Sequence, residues 1–560
     1  MQISKSKSLL GAILVTVTVS VALFITPNVS SEPVDQPKMA LMVPLAFAAL
    51  FLLIANIKLA FRNINRWYFL AILFFIIQLA LVLIFSGAPF NQQFFGTSGR
   101  NTGFLSYLAL SGLAIASAWS SNLVLVLRMV YSLLIVGSIS MFYSLLQTFA
   151  VDPVKWNNPY NSILAFLGNP NFASSFTGMC GVAAFALLLR QKLSILQRIG
   201  LGIYVLLGVF VMYRSASQQG ILVLGAGSLV VALIFISSTQ KLSTKLIKYS
   251  FLSFSGLASL LVVFGTLNIG PLGSHLYKIS VRQRGFYWHA AKNMLVNHPI
   301  FGVGLDSYGD WYFKYRSLNA AFHTPLTQSN AAHNVYLEFG SNGGFPLFIL
   351  YLLIVLLTAV SAWKLIRRQS TYNWAYAGLI GAWISYQAQA LISINQLGLA
   401  IWGWVFSGVI VGSEFVTRTN ASQTESQALG SRRNLKSKNG DNSSLLIAGV
   451  GLVVGSILVA PVFLNDANYR KAAQTGNANL IITAALKSPE DTGRSIQTAQ
   501  LLMNNKLFPQ GIELVKHVLS INPRDFNAWT LLASATQPGT PDNKLANQKL
   551  KELNPQIRTK

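Results

Sequence analysis

The chain has 560 residues, of which 52% are hydrophobic and only 10% are charged. This composition is too apolar for a soluble globular protein and is typical of a helical protein that crosses a membrane many times. The formal net charge of +26 comes from 42 Lys and Arg against 16 Asp and Glu, which in a membrane protein indicates basic cytoplasmic loops rather than nucleic-acid binding.

Thirteen apolar runs predict membrane-spanning helices, each of which needs about 20 apolar residues. If the N-terminus is cytoplasmic, nearly every inside loop is basic, as the positive-inside rule expects. The long polar loop at 266–344 and the tail after 464 then lie outside. The predicted spans are 9–26, 39–61, 68–86, 104–118, 123–150, 172–189, 201–213, 221–236, 250–265, 345–363, 372–392, 396–416 and 445–464.

The C-terminal quarter differs in character from this membrane body (1–416). Residues 417–444 are rich in Ser, Asn, Lys and Arg, which predicts a solvated cytoplasmic linker. After the span at 445–464, residues 465–560 carry apolar residues at helical spacing, and NPRDFNAWTLLASA resembles a tetratricopeptide helix pair. We expect a small TPR-like helical domain that either packs on the membrane body or binds a protein partner.

The outer loop holds five of the six histidines. We single out His333, in AAHNVYLEFGSNGGF, because neutral histidine is the usual general base near neutral pH. Asn334 and Tyr336 are close enough in sequence to orient it or a substrate hydroxyl. The other four are interpreted as structural hydrogen-bonding residues: His275, His289, His298 and His323.

Several arginines fall in loops predicted to lie outside, against the positive-inside pattern. A single one is explained by snorkelling to lipid headgroups, but together they suit a lipid diphosphate, because guanidinium binds phosphate bidentately. They are Arg100, Arg214, Arg282, Arg284 and Arg316.

Carboxylates are scarce in the same region. Between residues 37 and 412 the chain has only Asp152, Asp306, Asp310 and Glu338. A metal-dependent transferase usually needs several converging carboxylates, and no HxxxH or HExxH spacing occurs in the loop. The single cysteine, Cys180, allows neither an intrachain disulfide nor a Cys-based metal centre. We therefore expect no metal and no other cofactor.

Four stretches of the chain form a recognisable set: FGTSGRNTGFLSYL, LGNPNFAS, RQRGFYWHAAKNMLVNHPIFGVGLDSYGDWYFKYR and AHNVYLEFGSNGGFPLFILYLL. Together they resemble the O-antigen ligase and polymerase family, which also includes protein O-oligosaccharyltransferases. The resemblance covers about residues 68–416. It implies a GT-C-type glycosyltransferase of the bacterial inner membrane. Such an enzyme moves a glycan from undecaprenyl diphosphate to an acceptor hydroxyl on the periplasmic side, with inversion and without a metal.

On the matching positions, the resemblance makes His333 the base. It makes Arg100, Arg214 and Arg284 the diphosphate-binding residues, with Arg282 as the alternative to Arg284. Arg214 lies in YRSASQQG, which departs from the family pattern. Arg316 is a further candidate for diphosphate binding, and the candidates for supporting residues are Asn334, Tyr336, Asn169 and Asn171.

The acceptor stays open among a glycolipid, a glycan and a protein, and so do ligase, polymerase and protein-glycosylating activities. Outside this class, a membrane transporter is the main alternative. Transporters gather ionisable groups near the membrane midplane, whereas the polar groups here gather at one face. That placement favours an enzyme.

Overall fold

The computed structural model describes residues 2–156, 161–238, 242–266, 269–271, 273–427 and 443–556, and every regular element in these ranges is a helix. The helices that precede the long outer loop are α1 (Gln2–Leu23), α2 (Asp35–Ala55), α3 (Ile57–Arg62), α4 (Arg66–Phe85), α5 (Phe90–Phe95), α6 (Phe104–Ser120), α7 (Leu123–Thr148), α8 (Pro170–Leu188), α9 (Ile195–Arg214), α10 (Gln219–Ser237) and α11 (Leu242–Thr266).

Four helices lie in the loop that the sequence predicts to be outside, called the outer loop below, and further long helices follow. The loop helices are α12 (Gly273–Leu276), α13 (Ile279–Asn297), α14 (Tyr308–Tyr315) and α15 (Leu318–His323). The long helices are α16 (Val335–Arg367), α17 (Trp374–Ala390), α18 (Leu397–Gln427) and α19 (Ser443–Thr475). The C-terminal helices are α20 (Ala478–Ala485), α21 (Thr492–Asn504), α22 (Phe508–Ile521), α23 (Phe526–Ala535) and α24 (Pro541–Leu553).

The prediction of an all-helical polytopic membrane protein is confirmed. Each of the thirteen predicted spans falls on helix, and ten helices in the described ranges are long and apolar enough to cross a membrane. The remaining predicted spans correspond to α6 and α17, which have 17 residues each, and to α11, which carries Lys245 and Lys248. The ten are α1, α2, α4, α7, α8, α9, α10, α16, α18 and α19.

Helix α16 contains a break near its N-terminal end. Gly344 has φ 75° and ψ −178° there, a conformation that side chains rarely adopt. A Cβ at Gly344 would lie 2.5 Å from the backbone of Ile300. Across the break the NHPIFGVG loop pairs with the helix, since Phe345 N donates to Pro299 O at 2.8 Å. The glycine pair of SNGGF thus seats this loop against the first turns of α16.

The C-terminal helices form a separate core around residues such as Leu502, Val515 and Trp529. They are reached through α19, whose Gly451 and Gly455 lie against the backbone of α2. Helix α18 extends to Gln427, into the segment for which a linker is expected, and residues 428–442 lie outside the described ranges. The TPR-like character of the tail and the GT-C type stay predictions.

The C-terminal domain rests on helix α14 of the outer loop. The Phe526 and Phe313 rings lie 4.4 Å apart between centroids. The Arg524 guanidinium stacks over Trp311 at 3.3 Å. Contacts between aromatic rings and with guanidinium groups stabilise such an interface in a defined orientation.

Candidate active site

His333 immediately precedes the first turn of α16 and is partly buried. Its ring stacks on Tyr287 of α13, with centroids 5.2 Å apart and planes at 30°. Trp288 Nε1 donates to its carbonyl oxygen at 3.5 Å. Within the described ranges its ring nitrogens have no hydrogen-bond partner, so they are free to accept a substrate proton.

Burial and nearby positive charge keep the His333 imidazole neutral. Burial, with the positive charges of Arg284 and Arg100, lowers the pKa of His333 to about 4. The histidine is therefore unprotonated at neutral pH, as a general base must be. The same electrostatics show that Arg284 and Arg100 both lie close to the ring.

Of these two arginines, Arg284 makes fewer hydrogen bonds through its guanidinium group. It lies on α13, where Nη1 reaches Ser280 O at 3.4 Å and Nε is buried without a partner. Burial lowers its pKa from the ordinary arginine value. Arg282 precedes it by two residues and likewise has a buried Nε without a partner. Arg284 therefore places an unneutralised guanidinium group close to His333.

Arg100 lies in a different environment, because protein oxygens occupy its guanidinium. It is 4% exposed and pairs with Glu338 of α16, and Nη1 lies 3.4 Å from Asp306 Oδ1. Nη1 also donates to the carbonyl oxygen of Asn330. Burial alone would lower the pKa of Arg100, but Asp306 and Glu338 raise it above the ordinary value. Arg100 therefore connects its own loop to α16 and to the segment that leads into His333.

Asp306 belongs to the same network and was missed as a functional residue by sequence reasoning. Its Oδ2 accepts from Thr97 N at 2.7 Å, and its Oδ1 accepts from Thr102 Oγ1 at 3.1 Å. The segment GTSGRNTG thus wraps around the carboxylate of GVGLDSY. Asn101, Asp306 and His333 all have positive φ, between 51° and 56°, and such strained residues cluster at functional sites.

The two neighbours of His333 that were expected to support it make other contacts. Asn334 caps α16, where its Oδ1 accepts from Leu337 N at 3.0 Å. The Tyr336 hydroxyl donates to Gln387 Oε1 on α17 at 2.7 Å. They fix the start of α16, and with it the position of His333, rather than contacting the imidazole.

The residues of the LGNPN segment hold the loop that carries Arg214. Asn169 caps α8 by accepting from Asn171 N at 2.8 Å, and Asn171 Oδ1 accepts from Ser217 Oγ at 2.8 Å. Arg214 ends α9 with an exposed side chain, and only its carbonyl oxygen accepts from the described residues, from Asn161 Nδ2. No contact in the described ranges joins Arg214 to His333.

Arg316 is buried in the contact between the outer loop and the C-terminal domain. Its Nη1 donates to Thr324 O and Pro325 O at 3.1 and 3.0 Å, and its Nη2 donates to Asn554 Oδ1 at 3.1 Å. Its exposed fraction is 1%. These contacts give Arg316 a structural function, and its assignment to the diphosphate stays a prediction.

The other histidines of the outer loop make local contacts. His289 lies 3.2 Å from the Asn293 amide, and His298 Nε2 lies 3.0 Å from the Tyr315 hydroxyl. His323 Nδ1 lies 3.0 Å from Asn319 O, and the side chain of His275 lies outside the described residues. Within the described part of the chain, no group of three or more His, Cys, Asp or Glu is arranged to hold a metal ion.

Comparison with protein families supports the resemblance noted in the sequence. Residues 203–352, from α9 to the break in α16 and beyond, match the family described as O-antigen ligase. No curated protein matches the chain. The match supports an O-antigen ligase-like enzyme, and the ten apolar helices make it a multi-pass membrane protein. The matched segment contains His333, Arg214, Arg282 and Arg284, whereas Arg100 lies before it.

Proposed function

We propose that the protein transfers a glycan from a polyprenyl-diphosphate carrier to an acceptor hydroxyl at the outer face of the membrane. One observation carries this proposal: a neutral His333 lies beside the unneutralised Arg284 within the O-antigen ligase match. A base and an anion-binding cation side by side are what inverting transfer from a diphosphate requires. The apolar helices would hold the polyprenyl tail in the bilayer.

In this scheme His333 takes the proton of the acceptor hydroxyl on a ring nitrogen. The acceptor oxygen forms a bond to the anomeric carbon, and the bond from that carbon to the diphosphate oxygen breaks, with the electron pair leaving on the diphosphate. The bound diphosphate also offsets the charge of Arg284, which raises the proton affinity of His333 when the base is needed.

Arg284 is proposed as the main diphosphate ligand, with Arg282 as its neighbour on α13. Its partner-free Nε suits an incoming phosphate oxygen, and such preorganised donors stabilise charge that develops on a leaving group. Arg100 is proposed as a positioning residue, because its donors already hold Glu338, Asp306 and Asn330. Arg214, exposed at the end of α9, is proposed to meet the carrier from another loop.

The direct experiment is transfer of a fluorescent glycan from a polyprenyl-diphosphate donor by the purified chain and by His333→Ala. We expect the variant to lose transfer, and His289→Ala, which removes an exposed histidine from the neighbouring helix, to keep it. Wild-type transfer is expected to persist in EDTA. Normal transfer by His333→Ala would remove the base assignment, and loss of wild-type transfer in EDTA would remove the metal-free scheme.

Ligase, polymerase and protein-glycosylating activities share this chemistry and differ in the acceptor. Deleting the gene and identifying the surface glycoconjugate that loses its glycan would separate these three. A transporter would show no glycan transfer in the purified assay, and would instead move a substrate across the membrane of vesicles that contain it.

A further inference from the structure

A cavity of about 740 Å³ lies between the membrane body and the C-terminal domain. Its walls come from the loop after α1, the 89–101 segment, the start of α14, and helices α21 to α23. A volume of this size lies within the range of sites that enclose small ligands, roughly 300–1,000 Å³. The cavity exists only because the C-terminal domain covers this part of the outer face.

The charge of the cavity is opposite to the charge of the chain. Seven of the 16 carboxylates line it, and Arg494 is its single Lys or Arg. With 42 Lys and Arg in the sequence, a random sample of eight charged residues would be mostly basic. The concentration of acidic groups therefore reflects how the chain folds, not its composition.

Several of these carboxylates have structural partners. Asp306 pairs with Arg100, and Glu490 Oε2 lies 2.9 Å from His517 Nε2. Asp491 and Asp525 cap α21 and α23, each through one carboxylate oxygen. Such caps and pairs explain individual residues, but they do not explain why all of these carboxylates line one cavity.

A second feature points to a ligand: buried polar atoms at the wall that lack partners. Asn101 is 1% exposed, and its side chain makes no hydrogen bond within the described ranges. Asp466 Oδ1 and Gln36 Oε1 are also buried without a partner. Leaving such an atom unpaired costs about 1–3 kcal/mol. Two donors of the wall residue Arg494, Nε and Nη1, also lack partners. The three unpartnered acceptors suit a ligand that donates hydrogen bonds.

The cavity is adjacent to the candidate active site. Asp306 and Asn330 line the cavity and hold Arg100, and Arg100 acts electrostatically on His333. One buried side chain therefore separates the cavity wall from the proposed base. A ligand seated in the cavity therefore lies next to the residues that hold Arg100.

We propose that this cavity, formed when the C-terminal domain docks, binds the acceptor and selects a carbohydrate that carries ammonium groups. The proposal rests on the transferase function and adds the class of acceptor. Carboxylates accept the charged donors of an amino sugar, while Gln36, Gln92 and Asn101 offer amide groups to its hydroxyls. Acceptors bearing phosphate or carboxylate groups are repelled by the same wall.

The proposal is tested by binding of oligosaccharides to the full-length protein in nanodiscs of zwitterionic lipid at physiological salt. The probes are a fully deacetylated chitosan tetrasaccharide, its N-acetylated counterpart and an oligogalacturonate of equal length. We expect the ammonium-bearing sugar to bind most tightly and the oligogalacturonate not to bind. Attraction by the overall charge of +26 would give the opposite order, so non-specific binding is separated from recognition.

Two variants test the wall: Asp310→Asn and Asp466→Asn, each nearly isosteric. Losing a hydrogen bond to a charged group should weaken binding of the chitosan sugar about tenfold or more. Glu552→Gln, an exposed carboxylate of α24 outside the cavity, is the control and should bind as wild type. Equal binding of all three sugars, or wild-type affinity in both wall variants, would overturn the proposal.

The binding and transfer experiments distinguish a failure of the acceptor-site proposal from a failure of the transferase proposal. If His333→Ala abolishes transfer while the wall variants bind normally, the transferase stands and the acceptor site is elsewhere. If the chitosan sugar binds as expected while His333→Ala still transfers, the cavity stands and the proposed chemistry is wrong.

Discussion

The two sides of Arg100 differ in charge. On one side α13 carries Arg284 close to His333, and Arg282 two residues before it; the Nε atoms of both arginines lack partners. On the other side the cavity under the C-terminal domain is lined by seven carboxylates and one arginine. Arg100, held by Asp306 and Glu338, lies between them. If the proposed donor and acceptor bind on these two sides, opposite charge would keep them apart, since each side repels the ligand proposed for the other.

Removing the buried ion pair between Arg100 and Glu338 should change the protein most. Glu338→Ala leaves Arg100 buried with a single, more distant carboxylate, and removing one partner of a buried pair costs about 3–5 kcal/mol. We expect a much lower thermal unfolding midpoint in detergent micelles. Glu552→Ala, which removes the exposed partner of Lys549, serves as the control and should leave the midpoint unchanged. An unchanged midpoint for Glu338→Ala would show that Arg100 does not depend on this pair.

On the basic side, Arg284→Ala should reduce glycan transfer by about 10²–10³-fold, as the loss of one preorganised donor does elsewhere. The fall should appear in kcat, because the interaction strengthens as charge develops on the leaving diphosphate. Arg282→Ala is the matched control two residues away and should lose less, since Arg282 does not affect the His333 pKa. A larger loss in Arg282→Ala would exchange the two assignments.

The two sides should also respond to acid at different pH. Because the pKa of His333 is lowered to about 4, this base stays neutral as the pH falls from 7 to 5. Burial and Asp525 raise the pKa of Asp310 to about 6, so the cavity loses negative charge over the same interval. We expect the KM of an ammonium-bearing acceptor to rise several-fold between pH 7 and 5, while donor kcat/KM stays constant.

In Asp310→Asn the acceptor KM should already be high at pH 7 and should change little on acidification. A neutral acceptor should show no such rise in either protein. A fall in donor kcat/KM that begins near pH 6.5 would instead indicate a His333 with an ordinary pKa.

Weakening the contact between the C-terminal domain and α14 should have a smaller effect than the changes above. Phe526→Ala removes the ring that packs on Phe313, and an aromatic pair contributes about 0.5–1.5 kcal/mol beyond its buried area. We expect a few-fold faster proteolysis between α19 and α21 and a modest rise in acceptor KM, with donor binding unchanged. Phe508→Ala, which alters an exposed ring of the same domain, should leave both quantities unchanged.

The sequence predicted the fold class well, because apolar length and loop charge are local properties. All thirteen predicted spans fall on helices. The predicted start of the span at 345 directly follows the break at Gly344, although α16 already begins at Val335, inside the predicted loop. The sequence did not predict that Tyr287, 46 positions before His333, would stack on that ring. Contacts of this kind depend on the packing of α13 against the start of α16. That packing leaves no periodic pattern in the sequence from which it could be predicted.

The positions of the carboxylates were not predicted from the sequence. Their scarcity between residues 37 and 412 served only to argue against a metal site. Yet three of those four, Asp306, Asp310 and Glu338, lie at Arg100 or at the cavity. A buried arginine needs a counter-charge, so the few acids in the outer loops were the signal for its partners. The acidic cavity also needed the C-terminal domain to be placed, and the sequence left that position open.

Helix α19 determines how far the C-terminal domain stands from the bilayer. It has 33 residues, which at 1.5 Å each make it about 50 Å long, against a hydrocarbon core of about 30 Å. Its Gly451 and Gly455 bring it into close contact with the backbone of α2. If the cavity binds the acceptor as proposed, the length of this helix would limit how far an acceptor can reach from the bilayer, and we expect a glycan to be selected by its reach as well as by its charge.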